Sequence, residues 1–225
     1  MKVLLDRLKD IYKERGNDFK ILDIGGWFAP CKQAQYMVDI MPYETMNLKE
    51  AYGEGEMQIK PENYVQMDIS SMDRLPFEDN QFDYVICRHT LEDIMNPLNV
   101  CKEMIRVAKA GYIETPSRLY ESTKGVERPA WCGHYHHRWL VEIENNEISF
   151  MFKPHNMHSR KQFYFRRMPW QKFKNEYANV YLEWDGSFKY SEKVIIDLED
   201  VKKNLSDFKK KYENTQFLRP RWVQE

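Results

Sequence analysis

The chain has 225 residues, 34 Lys+Arg against 35 Asp+Glu, and a formal net charge of −1. That length suits one domain, or one domain with a sizeable insertion, and buries roughly 70% of its unfolded surface. The balanced charge speaks against a dedicated nucleic-acid binder and against an acidic disordered tail.

The first element is an amphipathic helix. Val3, Leu4, Leu8, Ile11 and Tyr12 recur at helical spacing, and Gly16-Asn17 reads as the stop. The charges at Lys2, Asp6 and Arg7 come too early for a signal peptide. Phe19 to Ile24 is a short apolar run entering Gly25-Gly26, a buried strand followed by a tight turn. Tyr36 to Ile40 is a second strand carrying Asp39, and Tyr64 to Met67 a third, followed by Asp68. Between them, residues 41–62 show little periodicity and read as a surface excursion, with a lid as one option. Phe82 to Cys87 is a fourth strand leading into Arg88-His89. Asn96-Pro97 is an N-cap followed by Pro at the first helical position. The face Leu98, Cys101, Ile105, Ala108 carries that helix toward Gly111, and Tyr112-Ile113 makes a fifth strand closed by Pro116. Short buried strands alternating with connectors predict a Rossmann-like, doubly wound, mostly parallel α/β sheet.

The C-terminal half reads differently. Arg138 to Glu144 and Ile148 to Lys153 flank Asn145-Asn146, and Val180 to Trp184 and Ser187 to Ile195 flank Asp185-Gly186. Both are antiparallel hairpin signals. A charged helix over about 198–212 follows, and Arg219-Pro220-Arg221-Trp222 reads as a peripheral tail. The four cysteines form no Cys-x-x-Cys pair, which excludes a zinc ribbon and fits free thiols in a reducing, cytoplasmic setting. No apolar run approaches the ~20 residues of a membrane span.

Ligands of an open α/β sheet bind beyond the C-terminal strand ends, near the switch point. Asp23 with Gly25-Gly26, Asp39, Asp68, His89 and Glu114 all fall there. Glycines let backbone N–H groups approach a ligand. An acid ending the second strand suits a ribose diol, because a carboxylate accepts both hydroxyl protons. Another acid after the third suits an adenine amino group. Singly, each has a bland reading as a turn, a cap or a surface acid; their joint order along five strands is the signal. Gly25-Gly26 is not Gly-x-Gly-x-x-Gly, so a dinucleotide is not indicated.

The set resembles a class I S-adenosylmethionine-dependent methyltransferase of the methyltransferase-11 type. The resemblance rests on Ile21-Leu22-Asp23-Ile24-Gly25-Gly26, on Val38-Asp39, and on Gln66-Met67-Asp68-Ile69. It extends to Leu75-Pro76-Phe77-Glu78-Asp79-Asn80-Gln81-Phe82-Asp83 and to Arg88-His89-Thr90-Leu91-Glu92-Asp93. It covers about 19–116. It implies S-adenosylmethionine as cofactor, held by Asp23, Gly25, Gly26, Trp27, Asp39, Asp68, Ile69, Arg88 and His89. Two departures stand out: Trp27-Phe28-Ala29-Pro30 replaces a third glycine, and Asp93 stands where a second histidine is usual. The segment after strand four is Arg88-His89-Thr90-Leu91, without the Asp/Asn-Pro-Pro-aromatic run of base amino-methylating enzymes. Pro30-Cys31 follows strand one, so it is not the cytosine-carbon nucleophile. No nucleic-acid substrate is expected.

Five of the six histidines lie between 134 and 158, densest in Gly133-His134-Tyr135-His136-His137-Arg138-Trp139. If that segment is extended, His134, His136 and Arg138 face one way, and His137 and Trp139 the other. A hydroxyl acceptor needs a general base, and His is the usual choice. The candidate catalytic residues are therefore His134, His136, His137 and His89, with Glu114 orienting a histidine or binding a hydroxyl. Trp131, Tyr135 and Trp139 offer rings for a sugar to stack on. His-x-His-His is also compatible with zinc, but no fourth ligand is evident; nearby acids could hold Mg²⁺, the histidines also read as structural hydrogen-bonders, and no residue is assigned as a metal ligand. Chains resembling the Arg-Val-Ala-Lys-Ala-Gly-Tyr-Ile-Glu-Thr-Pro-Ser run with a Gly-His-His-Arg-Trp-like stretch are associated with surface-glycan synthesis, which implies O-methylation of a sugar or glycan hydroxyl.

The expectation is a single methyltransferase domain over 1–225. Residues 19–116 are its cofactor half, 117–195 its acceptor loop and hairpins, and 196–225 its C-terminal helix and tail. A quinone or phenol methyltransferase and a non-catalytic cofactor-fold binding module are the alternatives.

Overall fold

The computed structural model describes residues 2–15, 19–166 and 177–213. The expected stop at Gly16-Asn17 and the tail at 219–222 lie outside the described residues. Two compact units share the chain. The first comprises residues 1–115, 143–148 and 181–191, and the second residues 116–142, 149–180 and 192–225.

The first unit carries a six-stranded sheet. Its strands are β1 (Ile21–Ile24), β2 (Tyr36–Asp39), β3 (Tyr64–Gln66), β4 (Phe82–Arg88), β5 (Ala108–Pro116) and β8 (Asn179–Asp185), in the order β3-β2-β1-β4-β5-β8. The pairs β1–β2, β1–β4, β2–β3 and β4–β5 are parallel. The order reverses between β1 and β4, the switch point at which such sheets bind ligands. Helix α1 (Lys2–Arg15) buries Leu4, Leu8 and Ile11 against Met37, Tyr84, Ile86 and Tyr112, as its spacing predicts. The excursion at 41–62 is anchored: Tyr52 and Ile59 join that same core, and Tyr52 bonds the backbone of Pro30 and Lys32. A lid is therefore not what this segment forms.

Helix α2 (Pro97–Val107) starts as expected, with Asn96 Oδ1 accepting from Asn99 N at 3.2 Å. Its buried face is Val100, Cys101, Met104 and Val107, rotated from the expected Leu98, Cys101, Ile105, Ala108. The helix also stops earlier than Gly111. Ala108 already pairs with Phe82, and β5 runs from there. Ladder formation overrides the helix propensity of Ala108 and Ala110. Gly111 then lets Val85 and Trp184 pack directly on the β5 backbone, where a Cβ would collide.

The remaining strands form a three-stranded sheet, β6 (Trp139–Glu144), β7 (Glu147–Phe152) and β9 (Lys189–Glu192), in the order β6-β7-β9. Asn145 and Asn146 join β6 to β7 with φ of 51° and 59°, the positive pair that a two-residue hairpin turn needs. The second expected hairpin does not form. Asp185-Gly186 is a turn, with Gly186 at φ 67°. Its flanks diverge, however: Gly186 N donates to Lys109 O beside β5, and Lys189 N donates to Asn146 O beside β7. In the second unit, α3 (Arg118–Glu121) is capped by Ser117, and α4 (Leu198–Glu213) matches the predicted charged helix. No helix among the described residues is long and apolar enough to cross a membrane.

Candidate active site

In the first unit, the turn after β1 is held from both sides by carboxylates. Asp39 Oδ2 accepts from Trp27 N at 3.1 Å, and Oδ1 accepts from Met41 N at 2.9 Å. Asp23 Oδ2 accepts from Cys31 N at 2.8 Å. Gly25, at φ 70°, lies where a Cβ would strike Thr90, and a Cβ on Gly26 would strike the Asp23 carboxylate. The turn therefore requires glycine at both positions. Trp27 Nε1 donates to Thr45 Oγ1 at 2.9 Å. Asp68 is exposed and accepts from Ser70 N and Ser70 Oγ, which hold its carboxyl below the usual range; Ile69 beside it is buried.

Burial raises the Asp23 carboxyl to about 7, against the pull of the Cys31 N–H and Arg88. Burial raises Asp39 too, opposed by the N–H groups of Met41 and Trp27. An acid whose pKa rises on folding keeps its proton in the folded state. Its stabilising contribution is complete below the unfolded pKa near 4 and is lost as pH climbs through about 7. Asp23→Asn should abolish this dependence. Between pH 5 and pH 8 the wild type should lose about 3 kcal/mol relative to the Asn protein, read from urea midpoints at the two pH values. Parallel pH curves for the two proteins would show that Asp23 is ionised in the fold.

A second constellation occupies the ends of β4 and β5. Glu114 Oε1 accepts from Arg88 Nη2 at 2.9 Å and lies 3.2 Å from His89 Nε2; Oε2 accepts from Tyr112 Oη at 2.6 Å. Glu114 is buried, which opposes its charge, yet His89, Arg88 and Tyr112 hold it well below the usual carboxylate range. Arg88 stacks over the Tyr52 ring at 4.6 Å. His89 is 41% exposed at the side chain, with Glu92 Oε1 3.7 Å from Nδ1. Burial opposes its protonation, but Glu114 and Glu92 outweigh that and push its pKa to about 9. His89 also adopts φ 50°, a left-handed conformation that costs a non-glycine residue about 1–2 kcal/mol. Such strain clusters at functional sites.

The second unit holds His134, His136 and His137. Their segment is not extended. Gly133 takes φ 57°, where a Cβ would strike Glu121, and the chain bends through 134–136. The expected alternation of faces therefore fails, and the three rings gather: His137 is 4.6 Å from both His134 and His136 by ring centroids. Glu121 Oε1 lies 3.0 Å from His137 Nδ1, and Glu121 Oε2 accepts from Lys153 Nζ at 2.6 Å. All three of these side chains are buried. The sequence reading missed Glu121 and Lys153, which lie 16 and 32 residues from their partners and carry no local signal. His158 Nδ1 accepts from Cys132 N at 3.0 Å.

The comparisons with known proteins bear on the first unit. The family model described as a methyltransferase domain spans Gly25 to Ile113, from the β1 turn to the end of the parallel core. Residues 25–113 match a methyltransferase domain. A demethylmenaquinone methyltransferase of Bacillus pumilus is 42% identical over 59 residues, 25% of this chain and 25% of the relative. Among solved structures, a candidate methyltransferase of Bacillus halodurans is 22% identical over 50% of this chain and 51% of its own, at a TM-score of 0.35. A SAM-dependent methyltransferase of Aquifex aeolicus is 19% identical over 49% and 64%, at 0.29. The chain thus spans a quarter of the length of that curated relative and about half that of the Bacillus halodurans structure.

The cofactor of such a domain is S-adenosylmethionine, and the residues present fit it. Each Asp39 oxygen takes one backbone N–H, which leaves acceptor lone pairs for a ribose diol. Glycine at 25 and 26 lets Thr90 and the Asp23 carboxylate pack against the β1 turn, which fixes the turn beside Asp39.

Proposed function

We propose that the chain is an S-adenosylmethionine-dependent O-methyltransferase acting on a sugar or glycan hydroxyl. The observation that carries this reading is the half-exposed His89, held by Glu114 at the C-terminal end of β4, on the strand next to the glycine turn. The bound cofactor supplies an electrophilic methyl group. The chain's own residues do the rest. Asp39 and the Gly25-Gly26 turn hold the nucleoside end, with Asp68 and Ile69 on the adenine side. Nε2 carries the hydrogen that faces Glu114 Oε1, so His89 Nδ1 takes the acceptor proton. Glu114 fixes the ring and compensates the imidazolium that forms, while Arg88 and Tyr112 fix Glu114. A sugar hydroxyl is a weak acid, so a base with a pKa of about 9 has the strength to assist its ionisation. The sugar class itself rests on the resemblance of the 106–139 region to glycan-modifying chains.

A second reading, transfer to a quinone or phenol, is favoured by the demethylmenaquinone-methylating relative and by exposed Phe28, Ile40 and Met41 beyond β1 and β2. The deciding experiment is radiolabelled methyl transfer to a panel of nucleotide sugars, deoxyhexosides and quinols. Label in the sugars at pH 8–9 is the expected result. Label confined to quinols selects the second reading, and none in any acceptor despite cofactor binding leaves a binding module.

A further inference from the structure

The second unit brings one nitrogen of each of His134, His136 and His137 within 4.8 Å of the others. We propose that these three histidines form a binding site for a divalent transition-metal ion of the zinc class. Zn–N bonds of about 2.0–2.1 Å in a tetrahedron set the nitrogens about 3.4 Å apart, so the rings need close by no more than about 1.4 Å. Imidazole nitrogens are borderline ligands that suit Zn²⁺, Co²⁺, Ni²⁺ and Cu²⁺ and discriminate against Mg²⁺ and Ca²⁺.

Two further features belong to a metal site rather than to a chance cluster. Metal-ligating histidines commonly hold a carboxylate on the second ring nitrogen, which fixes the ring and raises its basicity. Glu121 Oε1 stands 3.0 Å from Nδ1 of His137, and Glu127 Oε2 stands 3.4 Å from Nδ1 of His134. Glu121 is itself buried and held by Lys153, so it is fixed before any ion arrives. The ligands also differ in depth: His137 is buried, His134 half-buried and His136 exposed. Three histidines that reach from the interior to the surface leave the fourth position of a tetrahedron to water. That is the ligand count of an open site rather than of a closed structural one. Gly133 makes the arrangement possible, because any side chain there would displace Glu121.

The test uses the full chain, stripped with a chelator and then titrated with Zn²⁺ against a chromophoric competitor. A parallel Co²⁺ titration reads the visible bands of a four-coordinate nitrogen site. One equivalent should bind. His134→Ala and His136→Ala should each weaken binding at least 100-fold, and Glu127→Gln should weaken it about 10-fold. His155→Ala, an exposed histidine outside the cluster, should not change it. His136 and Glu127 are exposed, so those variants should keep the wild-type circular dichroism spectrum. The proposal is overturned if stoichiometry falls well below one ion per chain. It is equally overturned if affinity is unchanged in both His134→Ala and His136→Ala, or if His155→Ala removes binding.

Discussion

His89→Asn is expected to lower kcat by 10²–10⁴-fold, the range that a positioned general base contributes. Asparagine tolerates the left-handed backbone at φ 50°, so the fold and its turn should survive. The pH profile separates a base from a merely structural residue. With a pKa of about 9, the base form of His89 grows tenfold per pH unit below that value. Log kcat of the wild type should therefore climb with unit slope to about pH 9 and then level, and the Asn protein should lack that limb. Glu114→Gln removes a partner that stabilises the imidazolium, so its limb should move toward the ordinary histidine value near 6.5. A variant profile identical to the wild type would remove His89 from the chemistry and leave Glu114 as a structural acid.

Asp39→Ala is expected to erase the stabilisation that S-adenosylhomocysteine confers. At a ligand concentration about 100-fold above Kd, linkage gives roughly 2.7 kcal/mol. For a chain of this length, that is a Tm increase of about 5–10 °C. The alanine also frees Trp27 N and Met41 N, so the unliganded Tm should fall slightly. Asp39→Asn keeps the shape and one acceptor, and it isolates the loss of the second. Both proteins should melt without a ligand-dependent shift. A full shift in Asp39→Ala would mean that the ribose is held elsewhere, and no shift in the wild type at millimolar ligand would remove the cofactor reading.

The parallel core was legible because each of its first four strands carries its own marker: an apolar run ending at Gly25, at Asp39, at Asp68 or at His89. What escaped was pairing between distant segments. Ala108 to Ala110 looks helical in isolation and becomes strand only because Phe82 and Tyr84 offer it a ladder. Asp185-Gly186 marks a turn correctly, but no local signal says that its two arms join different sheets. The candidate site divides in the same way. Acids and glycines at strand ends, Glu114 among them, are readable from order alone, whereas the carboxylate that holds His137 is not. Glu121 sits 16 residues from His137, a spacing that follows no helical or strand period and carries no strand-end marker.

Strand β8 is drawn from residues 179–185 yet belongs beside β5, which ends at 116. On the ribosome, the first unit therefore cannot close its sheet until nearly 190 residues have emerged. By then most of the second unit's sequence, at 116–142 and 149–180, has already been synthesised. A nascent chain stalled before residue 179 would present β5 as an open edge, with Gly111 stripped of the Trp184 ring that covers it. Such an edge is a template for pairing with another chain. Cutting the gene at Ile113, where the methyltransferase match ends, would likewise leave β5 without β8, so the domain that the match delimits is not a fragment that folding delimits.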